Sequence, residues 1–158
     1  MRYAGLIKND FAAAPGVSVS FFVQGCPFHC NGCHNPQTWD FEGGKEFTSD
    51  TMDEIIAALT ANGVKRSLSI LGGEPLCEQN QFLTMLVIKT IKEHLPDTDV
   101  YIWTGYYYDN LPHTPYITQI LSMTKCLIDG PYEEDKRDIT LKMRGSSNQN
   151  IIYLDNSK

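Results

Sequence analysis

Four short apolar runs, 17–23, 67–71, 100–103 and 126–128, each end in a loop carrying cysteine or glycine, and helical periodicity fills the gaps between them. Residues 17–23 are β-branched and aromatic and stop at Gln24-Gly25, the pattern of a mostly buried strand. Ser49 or Asp50 can cap a helix through Met52, Ile55, Ile56 and Leu59, with Asn62-Gly63 as its stop. Phe82, Leu83, Leu86, Val87 and Ile91 recur at helical intervals between about Gln79 and Leu95, and Pro96 terminates that run. A shorter helix is predicted around Tyr116 to Ser122. Strands alternating with helices build right-handed βαβ units, so the predicted fold class is α/β with a mostly parallel sheet.

In such a sheet the carboxyl ends of the strands share one edge, where ligands bind. The loops Cys26 to Cys33, Gly72-Gly73-Glu74-Pro75, Thr104-Gly105-Tyr106 and Asp129-Gly130-Pro131 all follow predicted strand ends and are expected to converge there. The chain has 158 residues, enough for one domain, 1–158, that buries about two-thirds of its unfolded surface. Its net charge of -6 with scattered Lys and Arg argues against a nucleic-acid binder, because phosphate contact needs clustered cations. No apolar run reaches the length of a membrane span, and Met1-Arg2-Tyr3-Ala4-Gly5 does not open a signal peptide. A reducing cytoplasm, with cysteines kept as thiols, is therefore expected.

Cys26, Cys30 and Cys33 fall within eight residues of one loop. Four cysteines would close a tetrahedral site or ligate every corner of an iron–sulfur cube, whereas three leave one coordination position for a substrate. On spacing alone two other readings stand beside this one. His29 or His34 would complete a Cys3His zinc site in a non-enzymatic interaction module. Cys77 would supply the fourth ligand of an electron-transfer cluster; otherwise Cys77 and Cys126 read as small buried hydrophobes.

Cys26-x3-Cys30-x2-Cys33 resembles the signature of radical S-adenosylmethionine enzymes, and Gly72-Gly73-Glu74-Pro75 resembles their glycine-rich methionine-binding loop. Cys33-His34-Asn35-Pro36-Gln37-Thr38-Trp39-Asp40 is similar to the segment after the cluster in glycyl-radical activating enzymes. Trp103-Thr104-Gly105-Tyr106, Asp129-Gly130-Pro131-Tyr132 and Arg144-Gly145-Ser146-Ser147-Asn148-Gln149 resemble the short activases of anaerobic ribonucleotide reductases, over about Ala14 to Asn150. Two features depart from the wider superfamily: Gly32 stands where many members carry an aromatic, and Ala14-Pro15-Gly16 keeps half of a Gly-Pro-Gly entry. With Gly32 there, the resemblance implies adenine contact by backbone or by another side chain such as Phe28 or Tyr106.

The resemblance implies an open partial (β/α) barrel of the radical S-adenosylmethionine type, since the chain is too short for the full eight-strand barrel. It implies that Cys26, Cys30 and Cys33 hold three irons of a [4Fe–4S] cluster and that S-adenosylmethionine chelates the fourth. Gly72 and Gly73 would allow close approach of the methionine moiety, and Glu74 would accept from its ammonium group. Thr104 would meet the ribose or carboxylate, Asp129 the ligand or a cation, and Asn35 would border the cluster. The implied function is reductive cleavage of S-adenosylmethionine to a 5′-deoxyadenosyl radical that takes hydrogen from a glycine of the large anaerobic ribonucleotide reductase subunit. A one-electron donor such as flavodoxin would supply the electron. Activation of a different glycyl-radical enzyme such as pyruvate formate-lyase is the alternative within that class. Tyr106 to Pro112 and Arg144 to Gln149 are the expected docking surface.

Overall fold

The computed structural model describes residues 1–154. Seven strands form one sheet: β1 (Arg2–Asp10), β2 (Ser18–Val23), β3 (Lys45–Glu46), β4 (Ser67–Gly72), β5 (Val100–Trp103), β6 (Cys126–Asp129) and β7 (Asn150–Tyr153). Among the described residues three α-helices lie between strands: α1 (Ser49–Thr60), α2 (Gln81–His94) and α3 (Pro115–Ser122). The spatial order β3-β1-β2-β4-β5-β6-β7 leaves the sheet open, since β3 and β7 lie at opposite edges. No helix among the described residues is long and apolar enough to cross a membrane.

The expectation of a mostly parallel sheet is corrected to a mixed one. β2, β4, β5 and β6 are parallel neighbours, joined by α1, α2 and α3 as βαβ units require. β1 pairs antiparallel with β2 because the 11–17 connection is too short for a parallel crossover, and β3 extends that antiparallel edge. β7 returns antiparallel on β6.

Strand alternation gives the parallel strands two different faces. Val19, Phe21 and Val23 of β2, Leu68 and Ile70 of β4, and Ile102 of β5 are fully buried in one cluster with Ile55, Leu83, Ile88, Ile91 and Ile120 of the helices. All three helices thus cover the same face. On the other face Ser18, Ser20 and Ser69 are also fully buried, but under loops. Ser20 Oγ donates to Asp10 Oδ2 at 2.7 Å, Ser69 Oγ donates to the Ala13 carbonyl at 3.1 Å, and Trp103 Nε1 donates to the Met143 carbonyl at 2.8 Å. Small serines there let the 11–17 and 137–149 segments lie close to the sheet, and a cavity remains between them at the strand ends.

Candidate functional site

All four expected loops reach this cavity of about 450 Å³, the last of them through Gly130 alone. Its wall includes Cys26, Cys30, Cys33 and Asn35, then Gly72, Gly73 and Glu74, then Thr104 and Gly105, and finally Gly130 and Tyr132. The loops are tied to one another by main-chain bonds. β2 and β4 run in register to Val23 and Gly72, after which Gly73 N donates to the Val23 carbonyl at 3.0 Å and Glu74 N to the Gly25 carbonyl at 2.9 Å. Gly25 turns the chain with φ +103°, a conformation that favours glycine, and delivers Cys26 to the cavity. A Cβ on Gly73 would fall well inside contact distance of the Gly25 carbonyl. The need for glycine at 73 is therefore met within the chain itself, before any ligand is considered.

The three sulfurs differ from the two remaining cysteines. Burial pushes the Cys26 and Cys30 thiols up, while backbone hydrogen bonds from Phe28 and His29 to Cys26, and from Tyr132 to Cys30, pull them back. Asn35 N donates to Cys33 Sγ at 3.4 Å. N–H groups aimed at sulfur favour the thiolate, the form that ligates metal. Cys77 is 2% exposed, gives its S–H to the Glu74 carbonyl at 3.2 Å, and is pushed up to about 12 by burial. Cys126 is buried in β6 and pushed up to about 11. Neither lines the cavity, so neither stands as a fourth ligand.

Among the described residues no three His, Cys, Asp or Glu side chains are gathered as ligands of a single metal ion would be. His29 stacks on Trp39 with centroids 4.6 Å apart, and His34 packs against Tyr132 at 5.1 Å, so both candidate zinc histidines lie against aromatic rings. Three thiols on one loop, each with a backbone donor and facing a shared cavity, fit a cube that takes one cysteine per corner.

Glu74 is 1% exposed and holds the loops together. Its Oε1 accepts from Leu76 N at 2.9 Å and from Thr104 Oγ1 at 2.7 Å, and its Oε2 accepts from Gly105 N at 2.6 Å. Thr104 in turn accepts from Tyr106 N at 3.2 Å, which commits its hydroxyl within the chain. Asp129 goes elsewhere than expected. Its carboxylate accepts from Tyr108 N at 2.8 Å and from Asn150 N and Nδ2 at 3.1 and 2.9 Å, so it fastens β6 to β7 and the Tyr108 turn and does not line the cavity.

Phe28 lines the cavity, and Tyr106 backs it edge-on at 4.9 Å. Of the expected docking residues, Tyr108 is exposed, whereas Leu111, Ser146 and Gln149 are buried. Three contributors were not read from the sequence. Asn80 Nδ2 bridges the Gly25 and Glu74 carbonyls at 3.1 and 2.9 Å, Gln24 Nε2 holds the Gln37 and Asp40 carbonyls, and Asp10 joins the wall. Asn80 precedes α2 and reads locally as a helix cap, which conceals its longer-range contact.

Burial pushes the Glu74 carboxyl up to about 7 from an ordinary 4.5, its three donors limiting the rise. The folded state then binds a proton that the unfolded chain has released, so this contribution is full below pH 4.5 and is lost as pH rises through about 7. The loss is on the order of 3 kcal/mol. Urea denaturation of the metal-free, reduced protein from pH 5 to 8 is expected to show this slope. Glu74→Gln should be flatter across that range but less stable at pH 5 by about 2 kcal/mol, because its amide nitrogen faces a backbone or hydroxyl donor. An unchanged slope in the variant would overturn the assignment.

The profile of a family described as a 4Fe-4S single cluster domain matches residues 12–152. The anaerobic ribonucleoside-triphosphate reductase-activating protein of Salmonella typhi is 36% identical over 98% of this chain and 99% of its own. The protein of the same name from Escherichia coli K12 is 35% identical over 98% and 99%, and that of Enterobacteria phage T4 is 32% identical over 96% and 93%. At this identity along nearly the whole length, and with a three-cysteine cavity in place, the chain belongs to the family of anaerobic ribonucleoside-triphosphate reductase-activating proteins.

Proposed function

We propose that this protein activates an anaerobic ribonucleoside-triphosphate reductase by radical S-adenosylmethionine chemistry. The observation that carries the reading is the meeting of Cys26, Cys30 and Cys33 with Gly72-Gly73-Glu74 at one cavity whose wall has no fourth cysteine. The three thiolates would hold three irons of a [4Fe–4S] cluster, and the amino and carboxylate groups of S-adenosylmethionine would take the remaining iron. When bound, the cluster would pass one electron, received from an external one-electron donor, to the sulfonium of S-adenosylmethionine, which would supply the radical chemistry that removes a hydrogen atom from a glycine of the reductase.

The chain's own residues bind and orient. Backbone N–H groups at Phe28, His29, Tyr132 and Asn35 stabilise the thiolates. Glu74 keeps the ends of β4 and β5 at fixed separation and retains lone-pair capacity on Oε2 for an ammonium group. Thr104 acts through Glu74 as a positioning residue. Asn35 borders the cluster, and the Phe28 ring offers an apolar wall for the adenine.

We read the open sheet as a partial barrel of the radical S-adenosylmethionine type within one domain, 1–158. Its open side suits a protein substrate, and apolar side chains stand near it. Phe11 and Ile139, 74% and 85% exposed, lie close in sequence to the wall residues Ala12 and Leu141. A reducing cytoplasm, with a one-electron donor such as flavodoxin, belongs to the same proposal, because an oxygen-labile cluster needs it.

Reconstituted, reduced protein incubated without oxygen with S-adenosylmethionine and the large reductase subunit is expected to raise a glycyl-radical doublet on that subunit. The same mixture with pyruvate formate-lyase in its place is expected to raise none. A radical on the lyase alone would reassign the partner.

A further inference from the structure

The Arg144 to Gln149 stretch turns inward. Gln149 is 9% exposed, its Oε1 accepts from Gly145 N at 2.8 Å and Ser146 N at 3.2 Å, and its Nε2 donates to the Gly130 carbonyl at 3.0 Å. Asn148 Nδ2 adds a bond to the Pro131 carbonyl at 2.7 Å. The turn closed in this way sets Arg144, half-buried, in the cavity wall, where its Nη1 donates to the Gln149 carbonyl at 2.9 Å.

The other edge of the guanidinium is unused. Among the described residues Nε is buried without a hydrogen-bond partner, Nη2 makes no bond, and no carboxylate lies within 4 Å of the group. Nε–H and one Nη2–H project side by side, the fork that takes both oxygens of a carboxylate. A buried donor without an acceptor is costly, so one left unpaired at a cavity is fitted to an incoming acceptor. Charge narrows the kind of acceptor. Arg144 is the one Arg or Lys among the described residues of the wall, whose other charged side chains are the acids Asp10 and Glu74. Asp10 already accepts from Ala12 N at 2.9 Å and Ser20 Oγ at 2.7 Å. An acid group entering this cavity has Arg144 alone as its countercharge.

We propose that Arg144 binds the carboxylate of S-adenosylmethionine through its Nε–Nη2 edge. This rests on the reading that S-adenosylmethionine occupies the cavity, and it adds the side chain that recognises the acid group. Glu74, with lone-pair capacity on Oε2, and Arg144 then offer opposite charges to the ammonium and carboxylate of one α-amino acid. The fork serves the ligand rather than the docked reductase.

The test is anaerobic equilibrium dialysis of the reconstituted protein, kept oxidised so that no cleavage occurs, against S-adenosylmethionine and its decarboxylated analogue. Arg144→Gln is expected to weaken S-adenosylmethionine binding by about tenfold to a hundredfold, the worth of hydrogen bonds to a charged group, and to leave affinity for the decarboxylated analogue nearly unchanged. Arg137→Gln, at an exposed position of the same segment, should match wild type for both compounds. Should Arg144→Gln fail to fold or load iron, Arg144→Lys reads the same preference with a smaller loss, since it keeps the charge and lacks the fork. Equal losses for both compounds, or none for either, from a fully loaded variant would overturn the proposal. So would an Arg144 variant with wild-type S-adenosylmethionine affinity and weakened binding of the reductase subunit, which assigns the fork to a carboxylate of the partner. A cluster-loaded wild-type protein that binds neither compound would instead remove the reading beneath it.

Discussion

Cys26→Ala, Cys30→Ala and Cys33→Ala are each expected to lose nearly all cluster iron and all activation of the reductase, while Cys77→Ser and Cys126→Ala keep both. The asymmetry follows from the cavity. The first three cysteines line it, whereas Cys77 is buried away from it with its S–H given to the Glu74 carbonyl and Cys126 is sealed within β6. Serine at 77 can keep the hydrogen bond to that carbonyl, so the variant separates ligation from packing. Iron and sulfide analysis after anaerobic reconstitution, with zinc assayed in parallel, reads the outcome. Loss of the cluster from Cys77→Ser would restore the electron-transfer reading. Stoichiometric zinc with no iron in wild type would restore the interaction module.

Gly73→Ala should be the most damaging small substitution outside the cysteines. Its Cβ would press on the Gly25 carbonyl, a backbone atom at the root of the cysteine loop that also accepts from Glu74 N and Asn80 Nδ2. Relief needs β2 and β4 to part at their ends, so about 3 kcal/mol of stability is expected to go, the upper range of overpacking costs. The displaced Cys26 should lower cluster occupancy as well. Gly5→Ala is the control, because a Cβ there meets nothing within 4 Å. Thermal melts and iron content of the two variants check this, and a Gly73→Ala protein with wild-type values for both would refute the close approach.

The parts of the fold legible in the sequence were those with dense local signals. The run Val-Tyr-Ile-Trp at 100–103 is the whole of β5, and the apolar spacing around Leu83 to Ile91 falls inside α2. α1 begins at Ser49, but the cap is Thr48, whose N–H donates to Thr51 Oγ1 at 3.1 Å. β1 escaped notice because it is a half-covered outer strand carrying Arg2, Lys8 and Asn9, with Ile7 45% exposed, and so it lacks alternation. β3 has only two residues, and β7 is a half-exposed edge strand without the wholly buried run that marks β5 and β6. Those three strands are the source of the antiparallel pairings.

The site divides in the same way. Cysteine spacing and the Gly-Gly-Glu loop identified walls that do face one another. What local pattern could not carry was the partner of each polar side chain. In the sequence Glu74 and Thr104 stand as separate ligand contacts, yet they bond to each other across neighbouring strands. Asp129 ends a strand as the site loops do, but its acceptors are filled from the Tyr108 turn and β7, an element with no clear sequence signal. The Asn148 and Gln149 side chains point back to the β6 loop for a similar reason: the return of the chain along β7 brings them there.

The most direct measurement of the central claim is the electron paramagnetic resonance spectrum of the reconstituted, reduced protein with and without S-adenosylmethionine. If three thiolates leave one iron for the ligand, addition changes the cluster signal, and 5′-deoxyadenosine and methionine form in equal amounts as the cluster is reoxidised. An unaltered signal from a fully loaded protein, with no 5′-deoxyadenosine, would contradict it.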